Sequence, residues 1–334
     1  MNMKKWAESL KETPFKKAMP VLSYPGAALL GISVGDLVRS SELQANCMKR
    51  VADEVDSLAS VSLMDLSVEA EAFGAKVRFT TNEVPTVIGS LVEFTEDADE
   101  LEVPGLDAAR VPVYLEAIRQ AKELITDRPV FAGVIGPFSL AGRLVGVTEA
   151  MVLGYEEPDM LHTVMRKCTD FLIEYIREYR VLGADGVVLA EPLTGMLSPQ
   201  LAAEFSTPYV RELVEACETE EFLIIYHNCG SATLRMVDTI LDTGCSVFHL
   251  GDAIDMKEAL EKFPEEKIVM GNVSPAGEFV GGTPESVYQT TTKLLERCAD
   301  HKNFVLSSGC DIPPHASWDN IRAFFRANEE YWSA

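Results

Sequence analysis

Three side chains in this sequence have the types, and two of them the spacing, to hold a metal ion. The run "EFLIIYHNCG" (221–230) sets His227 and Cys229 at the tip of an apolar stretch, one residue apart. Residues two apart in an extended chain point to the same side, so this pair can converge on one point. A second cysteine, Cys310, ends another apolar run in "NFVLSSGCDIPP" (303–314), where a glycine and two prolines fix its loop. One imidazole nitrogen and two thiolates make a soft, compact donor set of the kind Zn²⁺ favours. Three protein ligands leave a fourth position open, which separates a catalytic zinc from a structural one. An H-x-C pair alone recurs by chance, and either residue could simply be buried. The independently placed Cys310 is what makes a shared ion, held by His227, Cys229 and Cys310, the expected arrangement.

Two carboxylates stand out for a related reason. Asp65 in "LMDLS" and Glu191 in "LAEPL" each end an apolar run, where an acid is costly unless paired, hydrogen-bonded or metal-bound. Glu191 is expected as a fourth zinc ligand or as a base behind the ligands, and Asp65 as a substrate-orienting or acid/base group. The other candidates read differently. Cys245 and His249 have helical i, i+4 spacing but flank a strand, where that spacing loses its meaning. His162 and His301 fall in helical or linking segments as surface or packing residues, and His315 is a loop histidine near Cys310. Arg143 in "SLAGRL" could meet an anionic group, with a surface position as the plainer reading.

These residues need elements to position them. Eight β-rich apolar runs recur: "MPVLSY" (19–24), "SVSLMD" (60–65), "PVFAGVIG" (129–136), "GVVLAEP" (186–192), "EFLIIYHNCG" (221–230), "SVFHLGD" (246–252), "KIVMGNVSP" (267–275) and "NFVLSSGCDIPP" (303–314). Continuously apolar strands suit a parallel sheet covered on both faces. Eight of them, separated by helical segments, predict an α/β fold, a (β/α)8 TIM barrel, whose reactive groups project from the carboxyl ends of the strands. An open doubly wound sheet is the competing architecture, but no G-x-G-x-x-G follows the first strand. Between 159 and 182, Leu161, Val164, Met165, Cys168, Phe171, Leu172, Tyr175, Ile176 and Tyr179 repeat at helical spacing, and Gly183 marks the exit. Thr207 before Pro208 and Thr283 before Pro284 read as N-caps with proline at the first helical position. Cys217 and Cys298 then fall inside helices as packed thiols. Residues 75–94 alternate as a hairpin inserted after the second strand. No linker divides the chain, so one barrel domain is expected over 1–334, with a helical extension at its N-terminus.

Composition excludes several classes. The chain of 334 residues is 47% hydrophobic and 24% charged, which fits an ordinary globular protein. A formal charge of -23 argues against nucleic acid as a partner, because phosphate binding relies on concentrated Lys and Arg. No run approaches the roughly 18 to 20 apolar residues that cross a bilayer. The first residues lack a secretory h-region, and seven scattered cysteines make no disulfide framework. The expected location is cytoplasmic, with no membrane contact.

Taken together, "MPVLSYPG", "MDLSVEAEAFGAKV", "GVIGPFSLAGRLVG", "YHNCGSAT", "MGNVSP", "GTPESV" and "SSGCDIPPHASWDNIRAF" resemble, in order, the uroporphyrinogen decarboxylase superfamily, and within it the corrinoid-dependent methyltransferases of the methylcobamide:coenzyme M type. The resemblance implies a (β/α)8 barrel and places the zinc of those enzymes on His227, Cys229 and Cys310. It implies methyl transfer from a methylated corrinoid (methylcobamide), carried by a separate corrinoid protein, to a small acceptor, either a thiol such as coenzyme M or tetrahydrofolate; a zinc-dependent methyltransferase using homocysteine, as in a methionine synthase-like activity, is a competing reading. The decarboxylase branch carries an arginine-rich "MRQAGRY"-type segment after the first strand. Here the corresponding "LSYPGAALLG" has no arginine, although Asp65 matches the position of that branch's catalytic aspartate. A uroporphyrinogen decarboxylase and a non-catalytic zinc-holding partner of a corrinoid protein are the alternatives.

Overall fold

The computed structural model describes residues 1–333. Among these residues nine strands form in chain order: β1 (Ser60–Val61), β2 (Val77–Arg78), β3 (Thr86–Val87), β4 (Val130–Ile135), β5 (Gly186–Ala190), β6 (Leu223–Asn228), β7 (Val247–Leu250), β8 (Ile268–Val273) and β9 (Phe304–Ser308). Seven of them make one all-parallel sheet in the order β1-β4-β5-β6-β7-β8-β9. The strands are apolar along their whole length because helices cover the outer face and side chains fill the interior.

The sheet curls into a barrel whose eighth position is taken by residues 18–23. The expected first strand, "MPVLSY", is therefore in place but lacks a regular ladder. Met19 N–H donates to Leu306 O (2.9 Å) on β9, and Leu58 N–H to Ala18 O (2.8 Å) on the way to β1. Val21 N–H turns to the Ser308 hydroxyl (3.0 Å). Pro20 has no N–H to give, so a continuous ladder cannot form there. The seam is closed by a few main-chain and side-chain bonds.

Alternation along the strands sorts residues by face. Phe131, Val188, Leu223, Ile225, Val247, Ile268, Met270 and Val305 fill the barrel interior. Their sequence neighbours pack outward against the helices, where the long helix Pro158–Val181 buries all nine residues of its expected stripe. Gly183 follows it at φ +94°. The N-terminal helix Met3–Ser9 plugs the amino end of the barrel, with Met3, Ala7 and Leu10 joining the interior cluster and Trp6 against Phe131. The inserted hairpin is formed by β2 and β3, paired antiparallel. Cys168, Cys217 and Cys298 are buried within helices.

Thr283 caps the helix Pro284–Cys298 with a reciprocal bond to Ser286. Thr207 does not act as the cap expected of it. The helix begins on Thr207, Ser206 occupies the cap position, and the Thr207 hydroxyl donates to Thr239 O (2.9 Å) instead. Among the described residues no helix is long and apolar enough to cross a membrane.

Candidate metal centre at the carboxyl end of the barrel

Strand pairing puts His227 beside Ala190 of β5 and His249 of β7. Ile225 and His227 face inward, Asn228 faces the opposite way, and Cys229 returns to the inner side just beyond the last ladder residue. Asn228 fixes this turn, since its side-chain oxygen accepts from Gly230 N–H (2.9 Å) and the Thr233 hydroxyl (2.8 Å). The loop after β7 passes directly over Cys229. A Cβ on Gly251 would stand 2.4 Å from Cys229 Cα, so only glycine lets the two segments approach this closely. Cys310 arrives from β9 by way of Gly309, which packs in the same manner against Asp252.

The structure thus brings together the three side chains that sequence spacing singled out. Their potential ligand atoms all lie within 4.8 Å of one another, and Cys310 Sγ stands 3.4 Å from His227 Nε2. Bonds of about 2.3 Å to sulfur and about 2.05 Å to nitrogen at a tetrahedral angle would separate those atoms by about 3.6 Å. The donor set and its spacing therefore fit a zinc ion. His227 is buried, whereas Cys229 and Cys310 are partly open, so the exposed side is where a fourth ligand could enter. Both cysteines are free thiols. Hydrogen bonding between them pushes the Cys229 thiol up, with burial adding to it, and holds Cys310 below the usual range.

Behind His227 lies a chain of contacts that sequence reasoning missed. His249, set aside as a residue flanking a strand, is inside β7 and points into the barrel. Its Nδ1 is 2.7 Å from His227 Nδ1, and its Nε2 is 2.7 Å from Ser307 Oγ. The signal was available: counting by twos from Val247 places His249 on the same inner face as His227.

The two carboxylates are fully engaged. Glu191 follows the last residue of β5, so alternation turns it outward, where it caps the helix Pro137–Val145. It accepts from Phe138 N–H (2.7 Å), Ser139 N–H (3.1 Å), the Ser139 hydroxyl (2.8 Å) and the Thr194 hydroxyl (3.1 Å). Its oxygens are not part of the three-residue cluster. Burial pushes its carboxyl up to about 7, against these hydrogen bonds. Gly136 makes the approach possible, since a Cβ there would lie 2.1 Å from Glu191 Cγ.

Asp65 accepts from Arg110 Nη1 (2.5 Å), the Tyr114 hydroxyl (2.6 Å), and both the N–H (3.1 Å) and hydroxyl (2.6 Å) of Ser67. Arg110 also pairs with Glu71 (2.5 Å) and donates to the Ser67 hydroxyl (2.8 Å). A lone arginine in "DAARVP" offered no sequence signal for this role. The remaining candidates sit apart. His162 stacks on Phe205 and bonds Tyr209, His315 meets Glu83 at the surface, and Arg143 is half-buried in the last turn of Pro137–Val145.

A parallel barrel with chemistry-bearing residues at its carboxyl end defines the class, and comparison with known proteins defines the family. The sequence profile described as uroporphyrinogen decarboxylase (URO-D) matches residues 8–331, and this chain belongs to that family. It is 27% identical over 272 residues to "Methylcobamide:CoM methyltransferase MtbA" of Methanosarcina mazei, spanning 80% of this chain and 78% of that one. It is 23% identical over 307 residues to "Uroporphyrinogen decarboxylase" of Hydrogenovibrio crunogenus, spanning 88% and 85%. In fold it superposes on a "methyltransferase from Methanosarcina mazei" with a TM-score of 0.87 at 24% identity, over 99% of this chain and 98% of that one.

Proposed function

We propose that this protein is a zinc-dependent methyltransferase that moves a methyl group from a methylated corrinoid, presented by a corrinoid protein, to a small acceptor of the coenzyme M thiol type or to tetrahydrofolate. The observation that carries the reading is the convergence of His227, Cys229 and Cys310 within 4.8 Å, a soft donor set at the carboxyl end of the barrel. The similarity to MtbA, whose printed name specifies methylcobamide and CoM, supports the choice of donor and acceptor. A decarboxylase would have no use for such a donor set, and Asp65, which would serve it, is tied to Arg110.

Zinc, when bound, supplies positive charge that lowers the pKa of a thiol brought to its open position. The chain's residues do the rest. Cys229 and Cys310 bring two negative charges to the ion, which keeps an acceptor sulfur nucleophilic. A methylated corrinoid would supply the methyl group: a thiol acceptor, its proton released to solvent, would form the new C–S bond with a sulfur lone pair, and the electron pair of the broken donor–methyl bond would leave with the donor. Asp65, buried and held by Arg110, Tyr114 and Ser67, acts as a positioning group that braces the barrel wall through this network without itself touching substrate. Glu191 anchors the helix Pro137–Val145 to the end of β5 and so shapes the adjoining wall.

The test follows loss of methylcobalamin spectroscopically with coenzyme M, homocysteine and tetrahydrofolate in turn, alongside metal analysis. Cys310→Ala should lose zinc and methyl transfer together while its far-UV circular dichroism is unchanged. Full transfer by that variant would overturn the site.

A further inference from the structure

We infer that His249 and Ser307 are positioning residues that lock His227 in one tautomer and aim its Nε2 lone pair at the metal position. The inference rests on the reading of His227, Cys229 and Cys310 as metal ligands.

The direction of every hydrogen bond behind His227 follows from one end. Ser307 Oγ lies 2.7 Å from Met19 O. A carbonyl oxygen can only accept, so the Ser307 proton is committed to it. Ser307 Oγ must then accept from His249, whose Nε2 is 2.7 Å away, and His249 carries its proton on Nε2. His249 is buried in the barrel with only 2% of its surface exposed, where a neutral ring is the form that burial favours. Its Nδ1 is left with a lone pair, and the nitrogen 2.7 Å from it is His227 Nδ1. Two bare lone pairs at that distance would repel, so His227 Nδ1 carries the proton and donates it, with His249 O at 3.2 Å as a second acceptor. His227 Nε2 is thereby left bare, and it is this atom that stands 3.4 Å from Cys310 Sγ. The tautomer needed for a metal ligand is set without any metal. The anchor of the chain, Met19 O, belongs to the segment that closes the barrel, so the seam between β9 and β1 and the ligand orientation are linked. A hydrogen-bonded partner behind a ligating histidine typically governs affinity by about 10- to 100-fold.

The test uses the full chain. Zinc affinity by chelator competition should fall about 10- to 100-fold in His249→Phe, and His249→Asn, which restores an acceptor on the His227 side, should recover most of the loss. Ser307→Ala, which removes only one oxygen, should weaken affinity in the same direction. Nitrogen-15 NMR of metal-free wild type should show His227 protonated on Nδ1. His227 protonated on Nε2 in that spectrum, or wild-type zinc affinity in both His249→Phe and Ser307→Ala while Cys310→Ala abolishes binding, would overturn the inference and leave the metal site standing. Absence of zinc binding by wild type would instead remove the metal site itself, and the inference with it.

Discussion

Replacing Arg110 by methionine tests the buried polar network that fixes Asp65. The Asp65 side chain is 0% exposed and Arg110 9%, so the pair is shielded from solvent. Breaking such a pair by removing one partner costs about 3–5 kcal/mol, because the surviving charge is left in a medium of low polarity. Asp65 keeps three donors in the variant, from Ser67 N–H, the Ser67 hydroxyl and Tyr114, which places the expectation near the lower end, at about 3 kcal/mol. Glu71, 21% exposed, can turn toward water and adds little. Urea denaturation followed by circular dichroism measures the loss. The double variant Asp65→Asn, Arg110→Met removes the stranded charge and should regain at least about half of it. A single variant within about 1 kcal/mol of wild type, or a double variant no more stable than the single, would refute the argument that the ion pair holds Asp65 in place.

Two further perturbations probe the loop over Cys229 and a buried acid, Glu69, that accepts from Ile135 N–H (3.1 Å) at the end of β4. Gly251→Ala puts a Cβ 2.4 Å from Cys229 Cα, so it should cost about 1–3 kcal/mol through overpacking and weaken zinc retention measured by chelator competition; unchanged retention would show that the β7 loop does not position Cys229. Burial pushes the Glu69 carboxyl up to about 7 from an ordinary 4.5. Because the folded value lies above the unfolded one, the folded chain holds a proton that the unfolded chain releases. That stabilisation is complete below about pH 4.5 and is lost as pH rises through about 7. Glu69→Gln should flatten the fall in stability across this window by up to about 1.4 kcal/mol per pH unit, while Glu191, also raised to about 7, retains a similar slope of its own. Equal slopes in wild type and variant would count against a buried protonated Glu69.

The barrel was legible in the sequence because its strands are apolar on both faces and its helices on one, two patterns set by period alone. Seven of the eight runs became regular strands, each shorter than its apolar run. Among the residues trimmed from the carboxyl ends, Cys229 and Cys310 turn into the mouth, whereas Glu191 turns outward to the helix Pro137–Val145. The eighth run failed as a ladder for a local reason, Pro20, which hydrophobicity does not register. The convergence of His227, Cys229 and Cys310 was readable from strand-end positions, since barrel closure brings all carboxyl ends to one rim. Arg110 and Ser307 were not, because their roles depend on which strand or loop lies beside which, and that information is in the register of the sheet. His249 falls between these cases: its face follows from alternation, but its contact with His227 requires knowing that β6 and β7 pair with those two residues side by side.

The central claim is that one zinc ion is shared by an imidazole and two thiolates. Zinc K-edge X-ray absorption on the purified full chain tests it most directly. One zinc per chain is expected, with two sulfur neighbours at about 2.3 Å and nitrogen or oxygen neighbours at about 2.0–2.2 Å, and with loss of one sulfur neighbour or of the metal in Cys310→Ala. A bound zinc with no sulfur in its first coordination sphere, or no stoichiometric zinc at all, would contradict it.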